Sequence, residues 1–266
     1  MEAYQDFAYV YDEFMDATPY DEWCERICKL INKYGVSKPQ RNAEDTLDSE
    51  KNLVLDLGCG TGTLTSALYQ KGYDMIGVDN SESMLAIAMD KRAEKGEEIL
   101  YLLQDMRELE LYSTVGTVVS VCDCVNYILE EEELIEVFSL VNNYLYPGGI
   151  FIFDFNTDYK YREVIGETTI AENREDCSFI WENYYDEESG INQYDVTIFV
   201  QEEEDLFRRF TETHLQRGYT PIQIQSFLEQ AGMTVVKMVD ADTEEELTAS
   251  TERVLVVARE QGKEIR

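Results

Sequence analysis

The sequence predicts an α/β protein with a doubly wound, mainly parallel sheet and an antiparallel β insertion. Up to residue 157, short apolar runs alternate with helical segments. That alternation is typical of right-handed βαβ crossovers and of a sheet covered on both faces. From residue 158 to 218, apolar and polar residues alternate instead, which predicts an antiparallel meander. A helix and two strands after residue 218 then return to the first sheet.

The parallel part contains five predicted strands. The first, "LVLDLG", leads into a helix that Gly72 ends, and the second, "YDMIGVD", leads into a helix that Ser81 caps and Gly96 ends. The third and fourth strands are "EILYLLQD" and "VGTVVSVCD". The segment "EEEELIEVFSLVNNYL" predicts a helix that Pro147 stops, and "GGIFIFDF" predicts the fifth strand.

The insertion has four strand-like runs, from "TTIAENR" to "DLFRRFTETHLQRGY", with turn residues at Glu188, Ser189 and Gly190. A helix follows, with Thr220 as its cap and Pro221 at its first position. The strands "MTVVKMVDAD" and "ERVLVVARE" complete the chain. We therefore assign residues 1–157 and 219–266 to one α/β core and residues 158–218 to an inserted subdomain.

Composition limits the classes of function. The net charge of −33 disfavours a nucleic-acid substrate, because nucleic-acid-binding proteins present a basic surface. No run approaches the roughly 18 apolar residues of a membrane span, and no signal peptide is visible, so we expect a cytoplasmic protein. Six scattered cysteines and a single histidine predict neither a disulfide framework nor a metal site.

Three glycines, Gly58, Gly60 and Gly62, follow the first strand in "LDLGCGTG". Glycines at the carboxyl end of a parallel strand let a ligand approach the backbone N–H groups, so we expect these positions to be bare for a ligand. Tight packing within the protein is the alternative. Thr63 stands where a dinucleotide fingerprint has its third glycine, and a P-loop lysine is lacking.

Three acids are predicted at neighbouring strand ends. Asp79 ends the second strand, where it is placed to accept hydrogen bonds from ribose hydroxyls, and Asp105 ends the third, near an adenine amino group. Asp56 lies just before the glycine turn and suits a cationic ammonium group. Each acid alone would be read as a helix cap or a turn residue. Together with the turn they predict an adenosine-containing ligand.

At these residues the chain resembles the class I S-adenosylmethionine-dependent methyltransferases. The segments "VLDLGCGTG", "GVDNSESML", "LLQDMREL" and "YLYPGGIFIFDF" are similar to successive motifs of that superfamily. The resemblance implies a Rossmann-like sheet of seven strands with the last one antiparallel, S-adenosylmethionine as the cofactor and S-adenosylhomocysteine as the product. It also implies the cofactor contacts: Asp56, Gly58, Gly60 and Thr61 at the methionine end, Asp79 at the ribose, Asn80 and Met84 along the adenosine, Asp105 with Met106 at the adenine, and Cys122 to Asp123 in the wall nearest the sulfonium. Cys59, in the same turn, is also expected to contact the cofactor.

The opening segment "FAYVYDEFM" and the β-rich insertion resemble small-molecule N-methyltransferases of the glycine and amino-sugar type, and uncharacterised bacterial relatives. This likeness implies that both regions close over the substrate and that the insertion helps to form a homodimer. Tyr4, Tyr11 and Tyr20 would then include cofactor or substrate contacts, Tyr11 being assigned to the cofactor. The alternative is that these tyrosines pack the first helix.

Methyl transfer from a sulfonium needs alignment and the exclusion of water more than it needs reactive side chains. An amine acceptor must lose a proton, and the candidates for that task are Asp123, Asn126 and Tyr127 after the fourth strand, with His214 from the insertion. His214 is alternatively an ordinary sheet residue. The segment "DCVNY" lacks the asparagine-proline-proline-aromatic signature of the adenine and glutamine N-methyltransferases.

Three hypotheses follow. The first is an enzyme that moves a methyl group to a small-molecule acceptor, an amine or another nucleophile without phosphate, and that has no nucleic-acid or membrane partners. The second is a non-catalytic protein that binds S-adenosylmethionine and associates through its insertion. The third is a nucleotide-dependent oxidoreductase. The sequence does not identify the acceptor, since its determinants lie outside the matching motifs.

Overall fold

The computed structural model describes residues 7–39, 49–203 and 206–263. Its six helices are α1 (Ala8–Phe14), α2 (Tyr20–Tyr34), α3 (Thr63–Gln70), α4 (Glu82–Lys95), α5 (Glu131–Tyr144) and α6 (Pro221–Gln230). Its strands are β1 (Leu53–Leu57), β2 (Asp74–Asp79), β3 (Leu100–Leu103), β4 (Val115–Ser120), β5 (Leu145–Asn156), β6 (Thr169–Asn173), β7 (Cys177–Asp186), β8 (Ile191–Glu203), β9 (Leu206–Arg217), β10 (Met233–Asp240) and β11 (Arg253–Glu260). Short helical turns lie at Ser49–Asn52, Met106–Glu108, Cys124–Tyr127 and Lys160–Ile165.

The main sheet has seven strands in the order β10-β11-β5-β4-β1-β2-β3. Strands β1 to β5 pair in parallel, whereas β11 runs antiparallel to both of its neighbours, β5 and β10. The predicted seven-stranded sheet with an antiparallel last strand is therefore confirmed. The strand order reverses at β1, between β4 and β2, which is where open α/β sheets form ligand crevices at their carboxyl ends.

Both faces of this sheet are buried. Phe151 and Phe153 of β5 stack with ring centroids 4.5 Å apart and pack with Phe138 of α5 on one face. Ile150 and Ile152 point to the other face, toward α2 and α3. Because every residue of the run packs on one side or the other, the segment "IFIF" is continuously apolar rather than alternating.

The predicted helix ends are present in the structure. Ser81 accepts a hydrogen bond from the Met84 N–H at 3.2 Å, and Gly96 closes α4 in the left-handed conformation. Thr220 and Gln223 form a reciprocal capping box ahead of Pro221. These local signals fix where α4 and α6 begin, and hence how each helix is placed relative to its neighbouring strand, β2 or β10.

The predicted antiparallel insertion after the fifth strand is confirmed. Strands β6, β7, β8 and β9 form a separate four-stranded sheet in that order. Its inner face forms a small apolar cluster with Val10 of α1, which includes Tyr194, Val196 and Ile198. Helix α1 therefore lies between the two sheets. No helix within the described ranges has the length and apolar character needed to cross a bilayer.

We expect Thr220→Ala to lower the free energy of unfolding by about 1 kcal/mol, because the first turn of α6 loses its side-chain acceptor. Urea denaturation measures this change. Gln225→Ala on the exposed face of the same helix is the matched control, expected to stay within about 0.5 kcal/mol of the parent. Equal effects of the two substitutions would show that the cap contributes nothing.

Candidate active site

A cavity of about 230 Å³ lies at the carboxyl ends of β1, β2 and β4. All twelve residues predicted to contact a cofactor line it, and so does one of the four predicted catalytic residues, Tyr127. The twelve are Tyr11, Asp56, Gly58, Cys59, Gly60, Thr61, Asp79, Asn80, Met84, Asp105, Met106 and Cys122. The predicted residues come from five separate segments, residues 11, 56–61, 79–84, 105–106 and 122–127, so the fold gathers them in one place.

The glycine turn has left-handed backbone at Gly58, Gly60 and Gly62. A Cβ at Gly60 would meet nothing within 4 Å, so this position is bare toward the cavity. A Cβ at Gly58 would lie 2.6 Å from Cys124 Sγ, and one at Gly62 would collide with the Tyr101 hydroxyl. The expectation that all three are bare for a ligand is therefore wrong at Gly58 and Gly62, where the protein's own side chains fill the space.

Asp79 fixes the shape of this turn. One of its carboxylate oxygens accepts the Gly60 N–H at 2.7 Å, and the other accepts the Ser81 N–H at 2.9 Å. Burial raises the pKa of Asp79, and the hydrogen bonds from backbone N–H groups oppose that rise. The carboxylate thus holds the start of α4 and the glycine turn together while it lines the cavity.

Asp56 lies beneath the turn and is only 2% exposed. It accepts a hydrogen bond from Thr65 Oγ1 at 2.6 Å. Burial, with the lowering effect of the Thr65 hydrogen bond and a smaller raising effect of the Asp79 charge, brings the pKa of the Asp56 carboxyl to about 7. A buried acid with a raised pKa favours a bound cation, since a positive charge lowers the cost of ionising it.

Asp105 is held by its neighbour Arg107. The guanidinium donates to the carboxylate at 2.6 and 3.0 Å, and the Arg107 backbone N–H donates at 2.9 Å. These hydrogen bonds hold the pKa of Asp105 below its usual range. Arg107 also lines the cavity, a residue that the sequence analysis missed although it stands in the quoted motif "LLQDMREL".

Helix α1 is tied to the glycine turn through Asp12, another residue that the sequence analysis missed. Asp12 accepts a hydrogen bond from Thr61 Oγ1 at 2.6 Å and forms an ion pair with Lys91 of α4. The next residue back, Tyr11, lines the cavity together with Tyr20 of α2. Tyr4 lies outside the described residues.

The loop after β4 places the other candidates away from the cavity lining. Cys122 and Asp123 both have positive φ, at 63° and 51°, which is costly for residues with side chains. The Asp123 N–H donates to Asp154 at 2.8 Å, and its carboxylate accepts from Gln216 Nε2 at 2.6 Å. These partners hold the strained loop, and the Asp123 side chain faces the second sheet.

Asn126 is fully buried and is not in the cavity lining. Its amide nitrogen donates to the carbonyls of Asn156 and Arg217 at 2.9 and 2.7 Å, and its oxygen accepts the Asn156 N–H at 2.9 Å. The structure therefore uses this side chain to join the core to the end of β9. Asn126 therefore does not reach the cavity in which the methyl group would be transferred.

His214 reaches the cavity only through Tyr127. The Tyr127 hydroxyl lies 3.1 Å from His214 Nδ1 and 2.8 Å from the Tyr194 hydroxyl. Glu212 Oε2 lies 3.4 Å from His214 Nε2 on the other side of the ring. The sequence analysis missed Glu212 and Tyr194. A usable signal was present in β9, where the alternate, inward positions Glu212, His214 and Gln216 are all polar.

Comparison with known proteins agrees with this geometry. A family model described as "Methyltransferase domain" matches residues 54–149. A protein of Geobacillus sp. (strain WCH70), classed as a methyltransferase by inference, is 34% identical over 256 residues, covering 96% of this chain and 99% of that protein.

Two solved structures are also similar. A S-adenosylmethionine-dependent methyltransferase from Clostridium acetobutylicum ATCC 824 has a TM-score of 0.82 at 27% identity, over 98% of this chain and 100% of that one. An amino pentose methyltransferase from Micromonospora echinaspora, solved with S-adenosylmethionine bound, has a TM-score of 0.69 at 16% identity, over 98% and 99%. At that identity the second likeness shows the fold alone.

The fold and the site define a class of α/β enzymes that hold a nucleoside cofactor over the first strand-to-helix turn. The chain belongs to the class I S-adenosylmethionine-dependent methyltransferase superfamily. It is a methyltransferase, with S-adenosylmethionine as its cofactor. The residues present fit that cofactor, because Gly60 leaves its side of the turn open and the buried acid Asp56 favours an ammonium group.

We expect Gly60→Ala and Gly62→Ala to impair different properties, cofactor binding and stability respectively. Both put a side chain on left-handed backbone, at a cost of about 1 kcal/mol. Gly62→Ala should lower the free energy of unfolding further, because its methyl group meets Tyr101. Gly60→Ala should mainly weaken binding of S-adenosylhomocysteine. Denaturation and calorimetry measure the two effects. Unchanged affinity in Gly60→Ala would contradict the assignment of its open side to the cofactor.

We expect the affinity for S-adenosylhomocysteine to rise with pH up to about 7, by at most about tenfold per unit, and then to level off. The ammonium group binds the ionised form of Asp56, which predominates in the free protein only above about pH 7. In the free protein the proton held by Asp56 stabilises the fold at low pH, and this contribution is lost as the pH rises toward 7.

Calorimetry over this pH range tests the expectation. Asp56→Asn should lose the rise in affinity near pH 7. Asp105→Asn is the matched control and should keep that rise, because the pKa of Asp105 is already low. An identical profile in the parent and in Asp56→Asn would assign the ammonium group to another residue.

Proposed function

We propose that this methyltransferase transfers the methyl group to the nitrogen of a small-molecule amine by direct in-line displacement. The observation that carries the proposal is the lining of the cavity. Tyr20, Cys122 and Tyr127 are part of its wall, Tyr11 of α1 lines it, and Val10 of the same helix packs against the second sheet. A cavity of about 230 Å³ is close to the lower end of the range of small-molecule sites, which favours a small acceptor over a macromolecule.

When bound, S-adenosylmethionine supplies an electrophilic methyl group on a positively charged sulfur. The residues of the chain then have three tasks, which are to orient the acceptor, to exclude water and to accept a proton from it. Tyr127 is the predicted catalytic residue that lies in the cavity wall. We propose that Asp56 binds the ammonium end of the cofactor, Asp79 the ribose, and Asp105 with Met106 the adenine.

Charge supports an amine rather than an anionic acceptor. The chain carries a net charge of −33, which attracts cations and repels phosphate-bearing molecules such as nucleic acids. The fold shared with an amino pentose methyltransferase is consistent with the same acceptor class.

All six cysteines are free, which suits a reducing compartment and supports a cytoplasmic location. We also propose that residues 158–218 cover the substrate and contribute to a homodimer.

The proposal is tested with S-adenosylmethionine labelled in its methyl group. Glycine, glucosamine and benzylamine are offered as amines, with glucose and benzyl alcohol as matched compounds that lack the nitrogen. We expect label in at least one amine and in neither alcohol. Label in the alcohols, or in added RNA alone, would contradict the proposed acceptor class. Cofactor binding without transfer to any compound in the set would count against it as well.

A further inference from the structure

We propose that Tyr127, His214 and Glu212 form a proton relay that deprotonates the amine acceptor. Tyr127 takes a proton from the acceptor and passes its own hydroxyl proton to His214, which Glu212 holds in the accepting tautomer. This inference rests on the proposed function, because only an acceptor that arrives protonated needs the relay. Tyr127 is the catalytic residue of the three, and His214 and Glu212 are positioning residues that act through it.

Tyr127 is held in the cavity wall beside the glycine turn. It ends the short helical turn Cys124–Tyr127 that follows β4, and Cys124 packs against Gly58 of the glycine turn. The Tyr127 side chain lines the cavity, and its hydroxyl contacts Tyr194 as well as His214. The hydroxyl is therefore the point at which the second sheet reaches the cavity wall.

The surroundings of His214 determine its tautomer. The Glu212 oxygen lies 3.4 Å from Nε2, outside hydrogen-bonding geometry, and its negative charge favours a proton on that nitrogen. Nδ1 then carries the lone pair and accepts from the Tyr127 hydroxyl at 3.1 Å. Glu212 is 8% exposed and His214 is 2% exposed, so water does not weaken these interactions. The His214 ring also stacks on Tyr194, with an interplanar angle of 13°.

The proton transfers balance without a further reactant. An N–H bond of the acceptor ammonium breaks, and its proton goes to the Tyr127 oxygen. The Tyr127 O–H bond breaks, and that proton goes to His214 Nδ1. The acceptor is left as a neutral amine with a free electron pair, and the new imidazolium charge faces Glu212. The arrangement is the one by which a buried acid and a histidine activate a hydroxyl in hydrolases.

The N-terminal helix completes the relay. The Phe7 backbone N–H donates to the second Glu212 oxygen, Oε1, at 2.9 Å. Val10 of α1 packs in the same cluster as Tyr194. The orientation of Glu212, and through it the tautomer of His214, therefore depends on the docking of α1, the helix that also contributes Tyr11 to the cavity.

The first test is nitrogen-15 NMR of the imidazole in the full chain with S-adenosylhomocysteine bound. His214 is the only histidine, so its signals need no assignment. We expect the Nε2–H tautomer at neutral pH. Glu212→Gln keeps an acceptor for Phe7 but offers an N–H to Nε2, and should move the proton to Nδ1. The exposed, matched variant Glu182→Gln should leave the tautomer unchanged. The Nδ1–H tautomer in the parent protein would overturn the relay.

The second test compares two acceptors, benzylamine, which is protonated at pH 8, and aniline, which is neutral. Tyr127→Phe should slow methylation of benzylamine by about 100-fold, the usual contribution of a general base, with kcat reduced and affinity for S-adenosylhomocysteine unchanged. Methylation of aniline should be nearly unaffected. His214→Asn, which keeps a polar group near Nδ1 but cannot take up a proton, should show the same selectivity.

The outcomes separate the two proposals. An equal loss with both acceptors would show that Tyr127 only shapes the cavity, and an unchanged rate with benzylamine would remove it from the reaction. If the parent protein methylates none of the amines offered, glycine and glucosamine included, the proposed acceptor class fails, while the NMR measurement still decides whether the three residues are arranged as a relay.

Discussion

The site depends on one interaction, in which the two carboxylate oxygens of Asp79 accept hydrogen bonds from the backbone N–H groups of Gly60 and Ser81. A buried carboxylate is costly, and this one is stabilised by hydrogen bonds from two backbone N–H groups on different segments. The adjoining N–H groups of Gly58 and Cys59 donate to the carbonyl of Val78, the residue before Asp79. The end of β2 thus shapes the glycine turn that follows β1. The open side of Gly60 exists because these bonds hold the turn in place.

Sequence patterns predicted the parts of this protein that local chemistry determines. The alternation of strands and helices, the Ser81 cap and the capping box at Thr220 depend on neighbours within a few residues, and the structure confirms them. The strand order at β10 and β11 came from the family resemblance, not from the residues themselves. Eleven of the twelve cofactor residues reach one cavity because the motifs lie at or just after the carboxyl ends of parallel strands, and Tyr11 reaches it from α1.

The residues that sequence reasoning missed or misread depend on partners far away in the chain. Gly58 is a glycine because Cys124, which follows β4, occupies its space. Asn126 looked like a cavity residue, but backbone groups of Asn156 and Arg217 take up its amide. Glu212 acquires a role only because β9 pairs with β8 and faces α1. Pattern can indicate that a polar residue such as Glu212 points inward, but it does not identify the partner, since tertiary packing alone creates these contacts.

The two acids beneath the turn, Asp56 and Asp79, affect the donor and its product unequally. S-adenosylmethionine carries a fixed positive charge on sulfur, and S-adenosylhomocysteine does not. A pocket lined by the buried acid Asp56 and the half-buried acid Asp79 attracts the charged nucleoside more strongly than the neutral one. Each turnover is therefore expected to remove part of the attraction that retained the ligand.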